Sequence, residues 1–354
     1  MHNIIYKIVN DNNNEKGEVN CMKKVRNLCL IAALSLIAVG GSSFYQIPVN
    51  AATTIEVSNS GTSLKDALAK AKSGDIVNIT GTVKSGTVNV PAGVTITGEK
   101  GKSKIDFSST SGSSGKGFVI KSDGASIKNL DVYGAADNGI YIEGSKNNIT
   151  NVNVYKNKDA GVQLSNGAAN NTLTKVYSYS NADQTGENAD GFAIKLHSGE
   201  GNKLIECTAE GNSDDGYDLY AAHGAVTFIR CKAINNGNCD GIKGDGNGFK
   251  LGGVDNKTSG VAAHLDPLNH ELTDCIAIGN TGSGFDRNNQ NGVVKMTNCT
   301  GENNVEYNFN FPLKGKPSAL GYEVTFGKAI MNGCTSINGG NVITGASLTD
   351  CTGF

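Results

Sequence analysis

The chain has 354 residues, with 47 glycines, no tryptophan and a formal net charge of −2. Without a basic excess or a basic-aromatic run it is not a nucleic-acid binder, and glycine without a three-residue period excludes a collagen-like rod. Frequent Asn, Ser, Thr, Val and Ile fit many short strands separated by polar turns.

Residues 1–21 are polar and asparagine-rich and do not fit in front of an export signal. Residues 22–51 read as such a signal, a secretory signal peptide. Met22-Lys-Lys-Val-Arg26 is a basic start, Leu28 to Val39 an apolar run, and Val49-Asn-Ala51 a small-residue cleavage site. The run is too short for an ordinary membrane span. Met22 is therefore the expected start, 1–21 a non-native extension, and 52–354 a secreted, extracellular domain with no membrane span. Next, Ser63 is placed to cap a helix whose Leu64, Ala67, Leu68 and Ala71 share a face. Gly74 is expected to end it, and Ile76 to Ile79 to form the first strand.

From Gly93 onward one pattern returns: glycine, apolar, variable, apolar. It reads Gly93-Val-Thr-Ile, Gly117-Phe-Val-Ile, Gly139-Ile-Tyr-Ile, Gly161-Val-Gln-Leu, Gly191-Phe-Ala-Ile, Gly216-Tyr-Asp-Leu, Gly248-Phe-Lys-Leu and Gly284-Phe-Asp-Arg. The spacing of 22 to 36 residues is that of a repeat architecture. No unit contains a helix-length period. The expected fold is all-β, a parallel β-helix with one coil per repeat, capped by the Ser63 helix. Residues one and three after each glycine fill its interior. A sandwich of antiparallel hairpins predicts no such columns.

The same stacking reassigns the cysteines. Cys207, Cys231, Cys275 and Cys299 each stand five residues before Asn212, Asn236, Asn280 and Asn304, in the slot that Val152 and Val176 hold before Asn157 and Asn181. Cysteine exchanging with valine marks a small buried site rather than a disulfide. Cys334 and Cys351 continue the column, Cys21 and Cys29 leave with the signal, and Cys239 lies in a loop. The asparagines themselves suit a stacked turn. Extra residues at about 182–189, 238–247 and 254–271 emerge as loops around three central rungs.

Aligned on the glycine, Asp190 and Asp215 fall on adjacent coils, Asp214 beside them, and Asp218 on the outward position of the same strand. Lys250 lies one coil further in the Asp218 column. Asp-Gly alone is ordinary turn chemistry. Four neighbouring carboxylates repel one another unless protonated or bridged by a cation, and an all-oxygen set favours Ca²⁺. A lysine beside that cation is expected to lose proton affinity and to serve as a general base. The chemistry that fits is abstraction of a proton α to a carboxylate, as at C5 of a uronic acid, with elimination of the C4 oxygen.

Asn188-Ala-Asp-Gly-Phe-Ala-Ile-Lys-Leu196, Ser213-Asp-Asp-Gly-Tyr-Asp-Leu219 and Gly244-Asp-Gly-Asn-Gly-Phe-Lys-Leu-Gly-Gly253 resemble the signature segments of family 9 polysaccharide lyases, most densely over 137–310. The resemblance implies a right-handed coil and a secreted, calcium-dependent pectate lyase. It implies that Asp190, Asp214, Asp215 and Asp218 hold the metal, that Lys250 is the base, and that the partner is polygalacturonate or pectin. Tyr217 stands where that family often has Trp. Lys195, His197 and Arg287 are candidates for binding substrate carboxylates, Asp240 and Asp245 for a second calcium site, and His223, His264 and His270 for plain loop positions. The chain is expected to act as a monomer. Two alternatives stand beside the lyase. A β-helical polygalacturonase-type hydrolase would use Asp214-Asp215, but its Asn-Thr-Asp, Gly-His-Gly and Arg-Ile-Lys segments are absent. A non-catalytic carbohydrate-binding solenoid would not need the aspartate cluster.

Overall fold

The computed structural model describes residues 51–354. The extension 1–21 and, apart from Ala51, the signal peptide 22–51 lie outside the described residues, with Cys21 and Cys29. Among the described residues are three long parallel sheets of twelve, ten and ten strands. The first runs from Thr54–Ser58 to Ala346–Thr349, the second from Thr82–Lys84 to Thr335–Ile337, and the third from Val88–Asn89 to Asn341–Val342. Each coil visits the third, first and second sheet in turn, and every strand pairs in parallel with its counterparts one coil away. This is the expected parallel β-helix. No described helix is long and apolar enough to cross a membrane.

The third sheet carries the glycine repeat. Phe118, Ile140, Val162, Phe192, Tyr217, Phe249 and Phe285 are fully buried. From Phe192 onward the rings form a continuous stack, with Phe192–Tyr217, Tyr217–Phe249 and Phe249–Phe285 centroids 5.0, 4.5 and 4.9 Å apart. Tyr217 fits because its buried hydroxyl donates to the Cys207 carbonyl at 2.9 Å. The Gly93 segment departs from the expected register. Its Thr95–Thr97 strand pairs with Ile76–Asn78 in the first sheet, and Val88–Asn89 takes the place beside Phe118. The pattern also continues one rung past Gly284, where Phe309 stacks on Phe285 although Asn308 replaces the glycine.

Two columns hold the corners. Between the second and third sheets, Asn157, Asn181, Asn212, Asn236, Asn280 and Asn304 form a buried ladder. The backbone N–H and side-chain amide of each both donate to Oδ1 of the next, as from Asn236 to Asn280 at 3.0 and 2.9 Å. The ladder closes on Asn308. The residue before each ladder asparagine (Lys156, Ser180, Gly211, Asn235, Gly279, Asn303) has positive φ, which turns the corner. The ladder also explains the glycines. A Cβ on Gly248 would come 2.5 Å from the Gly284 carbonyl and 3.0 Å from Asn280 Nδ2. At the corner between the first and second sheets, Cys207, Cys231, Cys275, Cys299 and Cys334 are buried and free, and Cys351 is half-buried. Except for Cys275, their thiols donate to carbonyls of the preceding coil, as Cys231 to Leu204 at 3.3 Å.

The helix spans Leu64–Lys70 and buries Leu64, Ala67 and Leu68 under the open end, with Ser63 Oγ accepting from the Asp66 N–H. It ends at Ala71, which is already extended. Gly74, at φ 94°, serves the following turn instead. Ile76–Thr80 is the second strand of its sheet. Thr54–Ser58 precedes it and pairs along its whole length.

Candidate metal and catalytic site

The third sheet points alternate residues outward, and parallel register then fixes their order across coils. Ala193 pairs with Asp218, Asp218 with Lys250, and Lys250 with Asp286. The insertions cover this face, so the aspartates are buried although they point away from the core. Asp190 and Asp215 are inaccessible, and Asp214 and Asp218 nearly so.

Carboxylate oxygens of Asp190, Asp214 and Asp215 lie within 4.8 Å of one another. Each is oriented by a neighbouring coil. Asp190 Oδ1 accepts from the Asp215 N–H at 3.2 Å, Asp214 Oδ1 from the Asp245 N–H at 2.9 Å, and Asp215 Oδ1 from the Asn247 backbone and side-chain amides at 2.7 and 2.9 Å. Asp218 is turned differently. Its Oδ1 accepts from the Tyr220 N–H, and its Oδ2 from Lys195 Nζ at 3.0 Å. Three carboxylates converge, therefore, and the fourth is tied to them by Lys195, which also donates to Asp190 at 2.7 Å.

Lys250 Nζ stands 2.9 Å from both Asp215 Oδ2 and Asp245 Oδ2. Its contact with Asp215 lies outside hydrogen-bond geometry and leaves Oδ2 buried without a donor. The sequence reading missed Asp245 as the partner of Lys250, although the pair repeats the five-residue spacing of Asp190 and Lys195. Asp240 instead lies in the turn joining the antiparallel pair Asn238–Cys239 and Ile242–Lys243. No group of candidate ligands among the described residues contains Asp240 or Asp245.

The electrostatics are those of crowded carboxylates. Burial, reinforced by Asp215, pushes the Asp214 carboxyl up to about 8. Burial likewise raises Asp215 to about 6 against the pull of Lys250, and it raises Asp190. Asp218 stays below the usual range because Lys195 and Lys250 outweigh its burial. Lys250 is raised rather than lowered. Burial disfavours its charge, but Asp218, Asp215 and Asp245 more than compensate. The expected loss of proton affinity is thus no property of these side chains alone. Three converging buried carboxyl groups, their raised acid pKa values and an all-oxygen donor set fit a hard divalent cation at Asp190, Asp214 and Asp215.

The three substrate candidates are placed elsewhere. Lys195 is buried between Asp190 and Asp218 and donates to both. Arg287 points into the solenoid, because the position three after each glycine is interior. It donates to the Gln290 and Gly345 carbonyls at 2.9 and 3.0 Å, and its guanidinium lies over the Phe311 and Phe326 rings. His197 turns toward the 254–271 insertion, with Nε2 3.0 Å from Thr258 Oγ1 and 3.3 Å from Asp255 Oδ2. His270 is a core residue rather than a loop position. It is fully buried, and its Nδ1 accepts from the Val226 N–H.

Residues 44–319 match the family model described as Pel9A-like, right handed beta helix region. The chain is 40% identical over 139 residues to pectate lyase L of Dickeya dadantii, covering 37% of this chain and 30% of that protein. It is 42% identical over 144 residues to pectate lyase L of Paenibacillus polymyxa, covering 38% and 30%. The match thus spans about a third of the length of these curated relatives. The crystal structure of pectate lyase Pel9A superposes with a TM-score of 0.71 at 26% identity, over 85% of this chain and 79% of that one. With the coil architecture and the family match agreeing over most of its length, the chain belongs to the Pel9A-like right-handed β-helix family.

Proposed function

We propose that this protein is a secreted pectate lyase that cleaves α-1,4-linked polygalacturonate by calcium-assisted β-elimination. The observation that carries the reading is Lys250 Nζ, 2.9 Å from Asp215 at the edge of a buried group of converging carboxyls. The curated relatives, named as pectate lyases, support it.

In this reading Asp190, Asp214, Asp215 and Asp218 hold the ion, with Lys195 keeping Asp190 and Asp218 together. Calcium there supplies neutralisation of the carboxylates that keep Lys250 protonated, and of the charge that develops on the substrate carboxylate. Lys250 Nζ accepts the proton from C5 of the uronic acid. The C5–H electron pair becomes the C4–C5 double bond while the C4–O bond breaks, and the departing oxygen takes a proton from solvent. Lys250 returns its own proton to water, and no water adds across the bond. One product therefore carries an unsaturated sugar end.

Incubation with polygalacturonate, with and without a calcium chelator, tests the proposal through the ultraviolet absorbance of that end. Saturated products would point to hydrolysis, absence of cleavage to a binding solenoid, and activity that survives chelation would remove calcium from the reaction.

A further inference from the structure

The 254–271 insertion, which supplies none of the residues given a role in that reaction, gathers a second set of ligand-type side chains. Three imidazoles face one carboxylate oxygen. Asp255 Oδ2 lies 3.0 Å from His223 Nε2, 3.3 Å from His197 Nε2 and 3.9 Å from His264 Nε2. Asp266 stands 3.7 and 3.8 Å from the His223 and His264 Nε2 atoms. The solenoid supplies two of these groups. His197 and His223 come from adjacent coils, their rings 4.6 Å apart, and the His197 N–H donates to the Ala221 carbonyl. The insertion supplies the others. Asp255 and His264 face each other in an antiparallel bridge, each N–H donating to the other's carbonyl at 2.9 and 3.0 Å.

Their orientation is fixed from behind. His264 Nδ1 lies 3.1 Å from the Ala262 carbonyl, where it can only donate, and this leaves the Nε2 lone pair directed at the cluster. Asp255 Oδ1 accepts from the Lys257 and Thr258 N–H groups at 2.8 and 3.2 Å, which turns Oδ2 toward the histidines. Asp255 is nearly inaccessible. Hydrogen bonding accounts for part of the arrangement. Asp255 Oδ2 accepts from Thr258 Oγ1 at 2.6 Å and lies 3.0 Å from His223 Nε2, and Thr258 Oγ1 lies 3.0 Å from His197 Nε2, but His264 Nε2 faces the cluster at a distance too long to bond. Ligands on a tetrahedral zinc ion, at about 2.0 Å from the metal, stand about 3.3 Å from one another. The 3.0 and 3.3 Å separations are edges of that size, and the candidate ligand atoms fall into two triads that share His223, His197–His223–Asp255 and His223–His264–Asp266, each within 4.8 Å.

We propose that His197, His223 and Asp255, adjoined by His264 and Asp266, form a site for a divalent transition metal of the zinc class. Imidazole-rich donors select such ions, whereas the all-oxygen group at Asp215 selects hard ones. The metal would clamp the insertion to the solenoid next to the candidate catalytic face. Tyr220 joins the two, because its N–H donates to Asp218 and its hydroxyl to Asn256 of the insertion at 2.6 Å.

The full chain, purified without a histidine tag and stripped with chelator, is titrated with Zn²⁺ in excess Ca²⁺, and retained metal is measured after gel filtration. One zinc per chain is expected. His223→Gln and His264→Gln should each weaken retention about 100-fold or more while keeping the circular dichroism of the parent, and Asp214→Asn should retain zinc. Co²⁺ should give a tetrahedral visible spectrum that both histidine variants lose. Failure of the folded parent to retain zinc, displacement of zinc by calcium, or unchanged retention in both histidine variants would overturn the site. None of these readouts depends on lyase activity.

Discussion

The asparagine ladder and the aspartate group are both stacks of buried polar side chains on successive coils, but they are completed in different ways. In the ladder every member is neutral, and the Asn236 donors that meet Asn280 Oδ1 are repeated coil after coil. In the aspartate group the members are acids whose ionisation burial opposes, and two lysines face four carboxyl groups. A neutral amide can stack indefinitely because it is donor and acceptor at once. A carboxylate is acceptor only, so its stack stays short and needs positive charge from outside the column.

The sharpest test of this contrast is Lys250→Ala. On its proposed role as general base, its loss should lower kcat by about 10² to 10⁴-fold, measured by unsaturated-product formation, with the parent's circular dichroism retained. A folded variant with full activity would end the assignment. Asn236→Ala should do the reverse. It strips the Asn212 backbone and side-chain amides of their shared acceptor and removes the side-chain donor to Asn280 Oδ1, which keeps only the backbone N–H of residue 236, at roughly 3 kcal/mol for breaks in a buried network. The melting temperature should fall, while activity per folded molecule stays near that of the parent.

Next comes the response to pH. The Asp214 and Asp215 carboxyls, raised to about 8 and about 6, bind protons in the folded chain that the unfolded chain has already lost. Their contribution to metal-free stability is full below the unfolded value near 3.8 and is lost as pH rises through about 6 to 8. Metal-free protein should melt lower at about pH 9 than at about pH 5, and calcium should restore more at the higher pH. A flat profile would mean that the carboxylates are not crowded in solution. The smallest effect is expected for Cys275→Val, a swap of similar volume that the column already makes at Val176. It should shift stability by about 1 kcal/mol or less, and a large loss would assign the thiols a role beyond filling space.

What the sequence made legible is what the coil repeats. The cysteine column, the asparagine turn and the pairing of Asp218 with Lys250 can all be read by counting from a glycine. The misreadings occur where that count breaks. Thr54–Ser58 precedes any repeat. Gly93 opens a similar four-residue pattern in another sheet, and Asn308 stands where a glycine would mark the last aromatic rung. Arg287 departs from expectation for a different reason. Its position three after Gly284 is interior, and a buried arginine is stable there only because carbonyls and two aromatic rings receive it. The histidines around Asp255 are illegible in the sequence because two come from coils and one from an insertion with no counterpart to align against.

The ladder also sets the cost of remodelling the cleft. Two of the insertions begin just after a ladder asparagine, at Asn181 and Asn236, and rejoin the third sheet just before Gly191 and Gly248. Both ends of such a loop are fixed posts, held by bonds to the neighbouring coils. Lengthening it leaves every stacked contact in place and adds only closure entropy, about 0.6 kcal/mol for each doubling of length. The walls around Lys250 can therefore be rebuilt at almost no thermodynamic risk to the solenoid, and substrate preference in this architecture is free to drift faster than the fold.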